Sequence, residues 1–188
     1  MNIYTRRGDT GQTRLFSGET VPKDDLRVKS YGAVDELQSL MGLARALCRV
    51  EDIAALLKEI QVNLFIVSAE LAARGMEPQM KRWIGAEDVV SLEECIDRTA
   101  GAYGMPSGFV VSGAGADSAA VHLARAVCRR CERLIVTLHR QEGGRDVLLS
   151  YINRLGDLLF MLAWALEVRS IVKNALMDTL REQGGGTQ

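Results

Sequence analysis

Between positions 125 and 140 the charged residues are five arginines, one glutamate and no lysine, concentrated in Arg125-Ala-Val-Cys-Arg-Arg-Cys-Glu-Arg133. The surrounding pattern, from about Asp117 to His139, is helical. At about 3.6 residues per turn, Leu123, Val127, Cys131, Leu134, Ile135 and Leu138 collect on one side, and Arg125, Arg129, Glu132 and Arg133 on the other. A charged stripe is usually a solvated face, and such faces mix Lys with Glu. Arginine replaces lysine where planar, forked donors must grip carboxylate or phosphate oxygens, so the stripe reads as an anion site.

A second candidate lies near the N-terminus. Thr5-Arg-Arg-Gly-Asp-Thr-Gly-Gln-Thr-Arg14 is rich in glycine, hydroxyls and arginine, a composition whose backbone N–H groups can cradle phosphates. It is not a Walker A sequence, and a flexible terminal arm fits the segment equally well. Lys23 follows, just ahead of Asp24 and Asp25, which mark a helix start.

Other chemistries fit poorly. Cys128-Arg-Arg-Cys131 has the C-x-x-C spacing, but there is no second pair or surrounding βαβ pattern, and His122 projects away from both thiols. The four cysteines read as reduced core residues rather than a disulfide scaffold. A di-iron bundle needs Glu-x-x-His pairs, and neither His122 nor His139 has a Glu three residues earlier. No metal-ligating set is expected.

The elements that must position these residues are helical. From about Leu26 to Arg49, Val34, Leu37, Leu40, Met41, Ala44 and Leu47 mark one amphipathic helix, with Asp35, Ser39, Gly42 and Ala46 on its other side. A second runs from about Asp52 to Arg74 and stops at Gly75. Val89, Leu92, Cys95, Ile96 and Thr99 suggest a third, ending at Gly101. Pro106 to Gly115 is a glycine-punctuated loop whose Phe109 is either a core anchor, the default for a loop aromatic, or a pocket wall. After the arginine helix, a fifth spans about Asp146 to Val168, with Asn153, Asp157, Phe160, Met161 and Trp164 in one stripe. Ser170 to Gln183 is compatible with its continuation.

The expected fold is all-α: a five-helix up-and-down bundle without reliable strands, preceded by a glycine/arginine-rich loop. A chain of 188 residues with 47% apolar content supports one domain: loop 1–27, bundle 28–183 and a disordered tail 184–188. Lys plus Arg number 23 against 24 Asp plus Glu, a net charge of −1 that gives no global attraction to nucleic acid or anionic membrane. With no apolar leader and no run near the roughly 20 residues of a membrane span, a cytoplasmic protein is expected.

Tyr4-Thr-Arg-Arg-Gly-Asp-Thr-Gly11, Lys23-Asp-Asp25, Tyr31-Gly-Ala-Val-Asp-Glu-Leu37, the arginine motif and Tyr151-Ile-Asn-Arg-Leu-Gly-Asp157 occur in order over nearly the whole chain. Together they resemble the trimeric, helical-bundle ATP:cob(I)alamin adenosyltransferases of the PduO type. The resemblance implies transfer of the 5′-deoxyadenosyl group of ATP to the cobalt of reduced cobalamin, with Mg²⁺ and release of triphosphate. It implies that Thr5, Arg6, Arg7, Gly8, Thr13, Arg14 and Lys23 bind ATP from the loop, and Arg129, Arg130, Glu132, Arg133 and Asn153 from the helices. Asp35 and Arg125 match a pair that bridges adjacent subunits at the active site. Phe109 matches the aromatic that displaces the lower axial ligand of the corrin.

A homotrimer with inter-subunit sites follows from the resemblance, as do a reductase that supplies cobalt(I) and a B12-dependent enzyme as partners. The chain departs from the family pattern at Trp164 (usually Arg), Gly156 (Ser), Gln38 (Asn) and Ser112 (Pro). Those departures lie near the expected corrin pocket and leave room for an ATP- or corrinoid-binding regulatory bundle without transferase activity. A purely structural oligomer, its arginines paired with a neighbour's acids, is a third reading.

Overall fold

In the computed structural model, which describes residues 4, 6, 8–73 and 81–184, Asp25 caps the first helix by accepting the Arg27 backbone N–H at 2.8 Å. This satisfies one of the donors a helix start leaves unpaired. The helices are α1 (Leu26–Leu47), α2 (Glu51–Ala73), α3 (Ala86–Tyr103), α4 (Ala116–Glu142) and α5 (Asp146–Gly184). Gly104, at φ 67°, and Gly143, at φ 78°, end α3 and α4 in backbone conformations that disfavour other residues.

The helices alternate in direction, as cross-links between named positions show. Arg27 at the start of α1 reaches the Leu71 carbonyl near the end of α2 at 2.6 Å and Glu142 at the end of α4 at 2.6 Å. Gln38 and Gln61 exchange side-chain-to-backbone hydrogen bonds at 3.1 and 3.0 Å between α1 and α2. Gly42 lets the two helices close, since a Cβ there would stand 3.3 Å from Gln61 Nε2. α4 packs against α1 and α5, and α3 packs against α5.

The buried seam of α4 is Val121, Ala124, Cys128, Cys131, Ile135 and Leu138. Its alternating spacing of three and four is that of a helix wedged between two others. Leu123, expected on this face, is instead exposed, at 51%. The buried arc is centred one residue further round, because α4 must cover both α1 and α5. Cys95, Cys128 and Cys131 are buried, and all four cysteines are free thiols. Burial pushes the Cys131 thiol up to about 12 and raises Cys128 as well, so both remain protonated and unreactive.

Two further expectations are corrected. Residues 1–27 were expected to hold no strand, but β1 (Gln12–Arg14) and β2 (Thr20–Pro22) pair antiparallel with Thr13 opposite Val21. Three-residue strands are too short to show an alternating pattern. The hairpin is seated through Leu15 and Val21, both 5% exposed. α5 takes in Ser170 to Gln183, the continuation the sequence allowed, and runs one residue into the expected tail, to Gly184; residues 185–188 lie outside the described residues. No described helix is long and apolar enough to cross a membrane.

Candidate active site

α4 and α5 run antiparallel, so polar positions one or two turns apart on each helix meet across the groove between them. Arg125 and Arg129 project from α4 into a cleft of about 660 Å³, with Gly156, Asp157, Phe160 and Met161 of α5 as the facing wall. Glu93, Ile96 and Asp97 of α3 and Met105 of the loop after α3 close the far side.

Arg129 lies directly on α5, where a Cβ at Gly156 would stand 3.2 Å from its Cδ. Its Nη1 is 2.6 Å from Glu132 Oε2. Asn153 Nδ2 donates to the other oxygen, Oε1, at 2.8 Å. Glu132 thus meets Arg129 through one oxygen, as an ion pair without hydrogen-bond alignment, and Asn153 through the other. Arg125 sits 5.9 Å from the centroid of Phe160, a cation–π contact. Its buried Nε has no hydrogen-bond partner among the described residues.

Phe160 in turn meets His122 edge-on, with ring centroids 6.5 Å apart. Burial lowers the pKa of His122, with Glu167 pulling it back up and Arg125 adding to the depression. The cleft's carboxylates are partly engaged already: Arg154 bonds Glu93 at 2.9 Å and Asp157 at 3.2 Å.

The remaining expected site residues divide. Arg130 turns to the α1 side and pairs with Glu36, and Arg133 is exposed outside the cleft wall. Asp35 is exposed and forms no ion pair among the described residues, Arg125 included. Asp157, on the stripe that faces the cleft, pairs with Arg154 of its own helix.

Phe109 is not a core anchor: it is fully exposed, at 108%. It lines a shallow groove with Trp164, and Met105 belongs to both this groove and the cleft, so the two are neighbours. The loop's ends rest on α5 residues. Trp164 Nε1 donates to the Gly104 carbonyl at 3.1 Å, and the Glu167 carboxylate accepts the Gly113 and Ala114 N–H groups at 2.7 and 2.9 Å. Sequence reasoning missed Glu167. The available signal was a lone carboxylate closing the apolar run Leu158 to Leu166.

In the N-terminal loop, Arg6 has φ 59°, a left-handed conformation uncommon for a non-glycine residue. It stacks over Tyr4 at 5.7 Å. Gly8 leaves room for Lys23, whose Nζ stands 3.0 Å from where a Cβ would be. Thr13 hydrogen-bonds Tyr31 of α1, while burial and the Asp25 carboxylate raise the Tyr31 pKa. Arg14 is exposed. Thr5 and Arg7 lie outside the described residues. No described hydrogen bond or ion pair joins this loop to the arginines of α4.

The family model described as cobalamin adenosyltransferase matches residues 3–166. A corrinoid adenosyltransferase of Citrobacter freundii is 43% identical over 163 residues, 86% of this chain and 92% of that protein. The corrinoid adenosyltransferase PduO of Salmonella typhimurium is 41% identical over 88% of this chain, which spans 49% of that longer relative. Among solved structures, a variant PduO-type ATP:corrinoid adenosyltransferase from Lactobacillus reuteri, complexed with cobalamin and ATP, superposes with a TM-score of 0.83. It is 35% identical, over 89% of this chain and 91% of that one.

Proposed function

Since the chain belongs to the cobalamin adenosyltransferase family, we propose that it transfers the 5′-deoxyadenosyl group of ATP to the cobalt of cob(I)alamin. The observation that carries this reading is the juxtaposition of the cleft holding Arg125 and Arg129 with the groove holding Phe109, joined through Met105. One part offers fixed cations to a polyphosphate. The other offers an exposed aromatic to a flat, apolar macrocycle.

The chemistry needs little more. Cobalt(I) supplies the electron pair that forms the cobalt–carbon bond at C5′, and the electrons of the C5′–O bond depart with triphosphate. No Ser, Cys or Lys nucleophile is required, so the protein's work is to align C5′ and stabilise the leaving charge. Arg129, beside Glu132 and Asn153, is suited to that charge, and Arg130 and Arg133 extend the cationic surface along α4. Phe109 excludes water and the lower ligand from one face of the corrin, which eases formation of cobalt(I).

Mg²⁺ fits as a companion of the triphosphate. No group of three or more His, Cys, Asp or Glu among the described residues forms a protein cage, and Mg²⁺ is ordinarily held by substrate phosphates and water with one or two carboxylates. Glu132 is the carboxylate the α4 stripe offers beside those phosphates.

The assembly in this reading is a homotrimer whose sites lie between subunits. Among the described residues no hydrogen bond or ion pair joins the N-terminal loop to the α4 arginines and none engages the Asp35 carboxylate, which supports it. Thr5, Arg6, Arg7, Gly8, Thr13, Arg14 and Lys23 of one copy would meet the α4 arginines of the next, with Asp35 bridging to Arg125. A reductase and a B12-dependent enzyme are the partners this activity calls for, in the cytoplasm. The test is anaerobic incubation with Mg²⁺, ATP and chemically reduced cobalamin, followed by absorbance. Growth of the cobalt–carbon spectrum is expected; an unchanged cobalt(I) spectrum overturns the reading.

A further inference from the structure

The loop from Gly104 to Gly115 is attached to α5 at both ends and free between them. At its start, Trp164 Nε1 donates to the Tyr103 and Gly104 carbonyls at 3.4 and 3.1 Å. At its end, one carboxylate takes two successive backbone N–H groups, Gly113 and Ala114 to Glu167 at 2.7 and 2.9 Å. One turn further along, Ser170 Oγ stands 2.6 Å from where a Cβ on Gly115 would lie, so the chain closes against α5 there only because residue 115 is glycine. Residues 164, 167 and 170 form a single stripe, three positions apart on one helix.

None of the described hydrogen bonds involves residues 105–112, and Phe109, near the middle, is fully exposed. The placement of that aromatic is therefore governed by where the two ends are held. Glu167 is only 1% exposed. A carboxylate so deeply buried must be paired, and its two oxygens are spent on the loop, with His122 Nε2 3.8 Å away on the other side. Acceptance of backbone N–H groups by a charged carboxylate is stronger than a neutral hydrogen bond.

We propose that Trp164 and Glu167 are positioning residues that pin the two ends of the Phe109 loop to α5 and thereby set how Phe109 meets the corrinoid. This rests on the adenosyl-transfer reading. Neither residue touches a reacting atom. Their effect falls on the corrinoid and not on ATP, because the loop's contacts with α5 lie away from Asn153 and Glu132.

The test compares the full-length protein with Glu167→Gln, which keeps the size but leaves one carbonyl oxygen to accept, and with Trp164→Phe, which keeps the ring but loses the donor. Limited chymotrypsin digestion, read by mass spectrometry at Phe109, reports loop restraint without reference to any activity. Glu167→Gln is expected to be nicked roughly tenfold faster, the factor for losing about one charge-assisted hydrogen bond, and Trp164→Phe about fivefold faster, the factor for losing a neutral one. KM for cobalamin should rise by a similar factor while KM for ATP stays put. Unchanged nicking in folded variants overturns the anchoring, and faster nicking with an unchanged cobalamin KM overturns its role toward the corrinoid. Should Glu167→Gln fail to fold, Trp164→Phe decides alone. Absence of transfer by the unaltered protein would instead defeat the adenosyl-transfer reading, and with it the corrinoid role, while the nicking comparison would still decide the anchoring.

Discussion

Arg129→Ala separates stability from chemistry, because this side chain's contacts within the fold are few and its role in the proposed reaction is electrostatic. Its side chain is 44% exposed and its ion pair with Glu132 joins residues i and i+3 on one helix. Pairs of that kind are worth at most about 1 kcal/mol. Glu132 keeps its hydrogen bond from Asn153 to Oε1 at 2.8 Å when the arginine is gone, and only its Oε2 loses the ion pair. For a chain of this length, about 1 kcal/mol moves Tm by roughly 2–4 °C. The loss of a donor aimed at developing charge costs far more, on the order of 10² to 10³ in rate, or about 3–4 kcal/mol of barrier.

The assay pairs thermal unfolding with single-turnover formation of the cobalt–carbon bond at saturating ATP. A Tm within a few degrees of the unaltered protein, together with a rate lower by about two orders of magnitude, is expected. Arg129→Lys should recover only part of the rate, because a point charge cannot replace a planar fork. Near-normal turnover by a correctly folded Arg129→Ala would refute the reasoning.

Phe109→Ala should leave stability and ATP affinity unchanged, because the ring is fully exposed, yet deplete four-coordinate cobalt(II). Magnetic circular dichroism of the cobalt(II) complex checks this, and an undiminished four-coordinate population counts against it. Co-refolding of Arg6→Ala/Thr13→Ala with Arg129→Ala should restore turnover that neither mutant has alone, since roughly a quarter of head-to-tail interfaces in an equal mixture combine an intact loop with an intact helix. Mixed oligomers that stay inactive would place loop and helix in one subunit. His122, its pKa lowered mainly by burial, binds a proton more readily when unfolded, so stability rises with pH through the ordinary imidazole range and is lost on acidification. His122→Asn should flatten the unfolding free energy between about pH 5 and 7; an unaltered slope would show that another group is responsible.

The sequence alone determined the five helices and the composition of the α4 stripe, because both are local. Helical periodicity places Arg125 and Arg129 on one face whatever lies opposite, and five arginines without lysine make that face cationic before any packing is known. The order of the short motifs was enough to place the chain in its family. The pairing of Gln12–Arg14 with Thr20–Pro22 escaped, because strands of three residues carry too little pattern.

Only the tertiary structure decided which arginines share a cleft. Arg130 and Arg133 belong to the same motif as Arg129, but Arg130 faces Glu36 and Arg133 stands outside the cleft wall, a consequence of how far α4 is rotated between α1 and α5. The same rotation exposes Leu123 and buries Cys128. Glu167 and Trp164 acquire their contacts with a loop more than fifty residues earlier from the alignment of α3 and α5. Contacts between residues so distant in sequence depend on the relative placement of whole helices, which periodicity along a single helix does not encode.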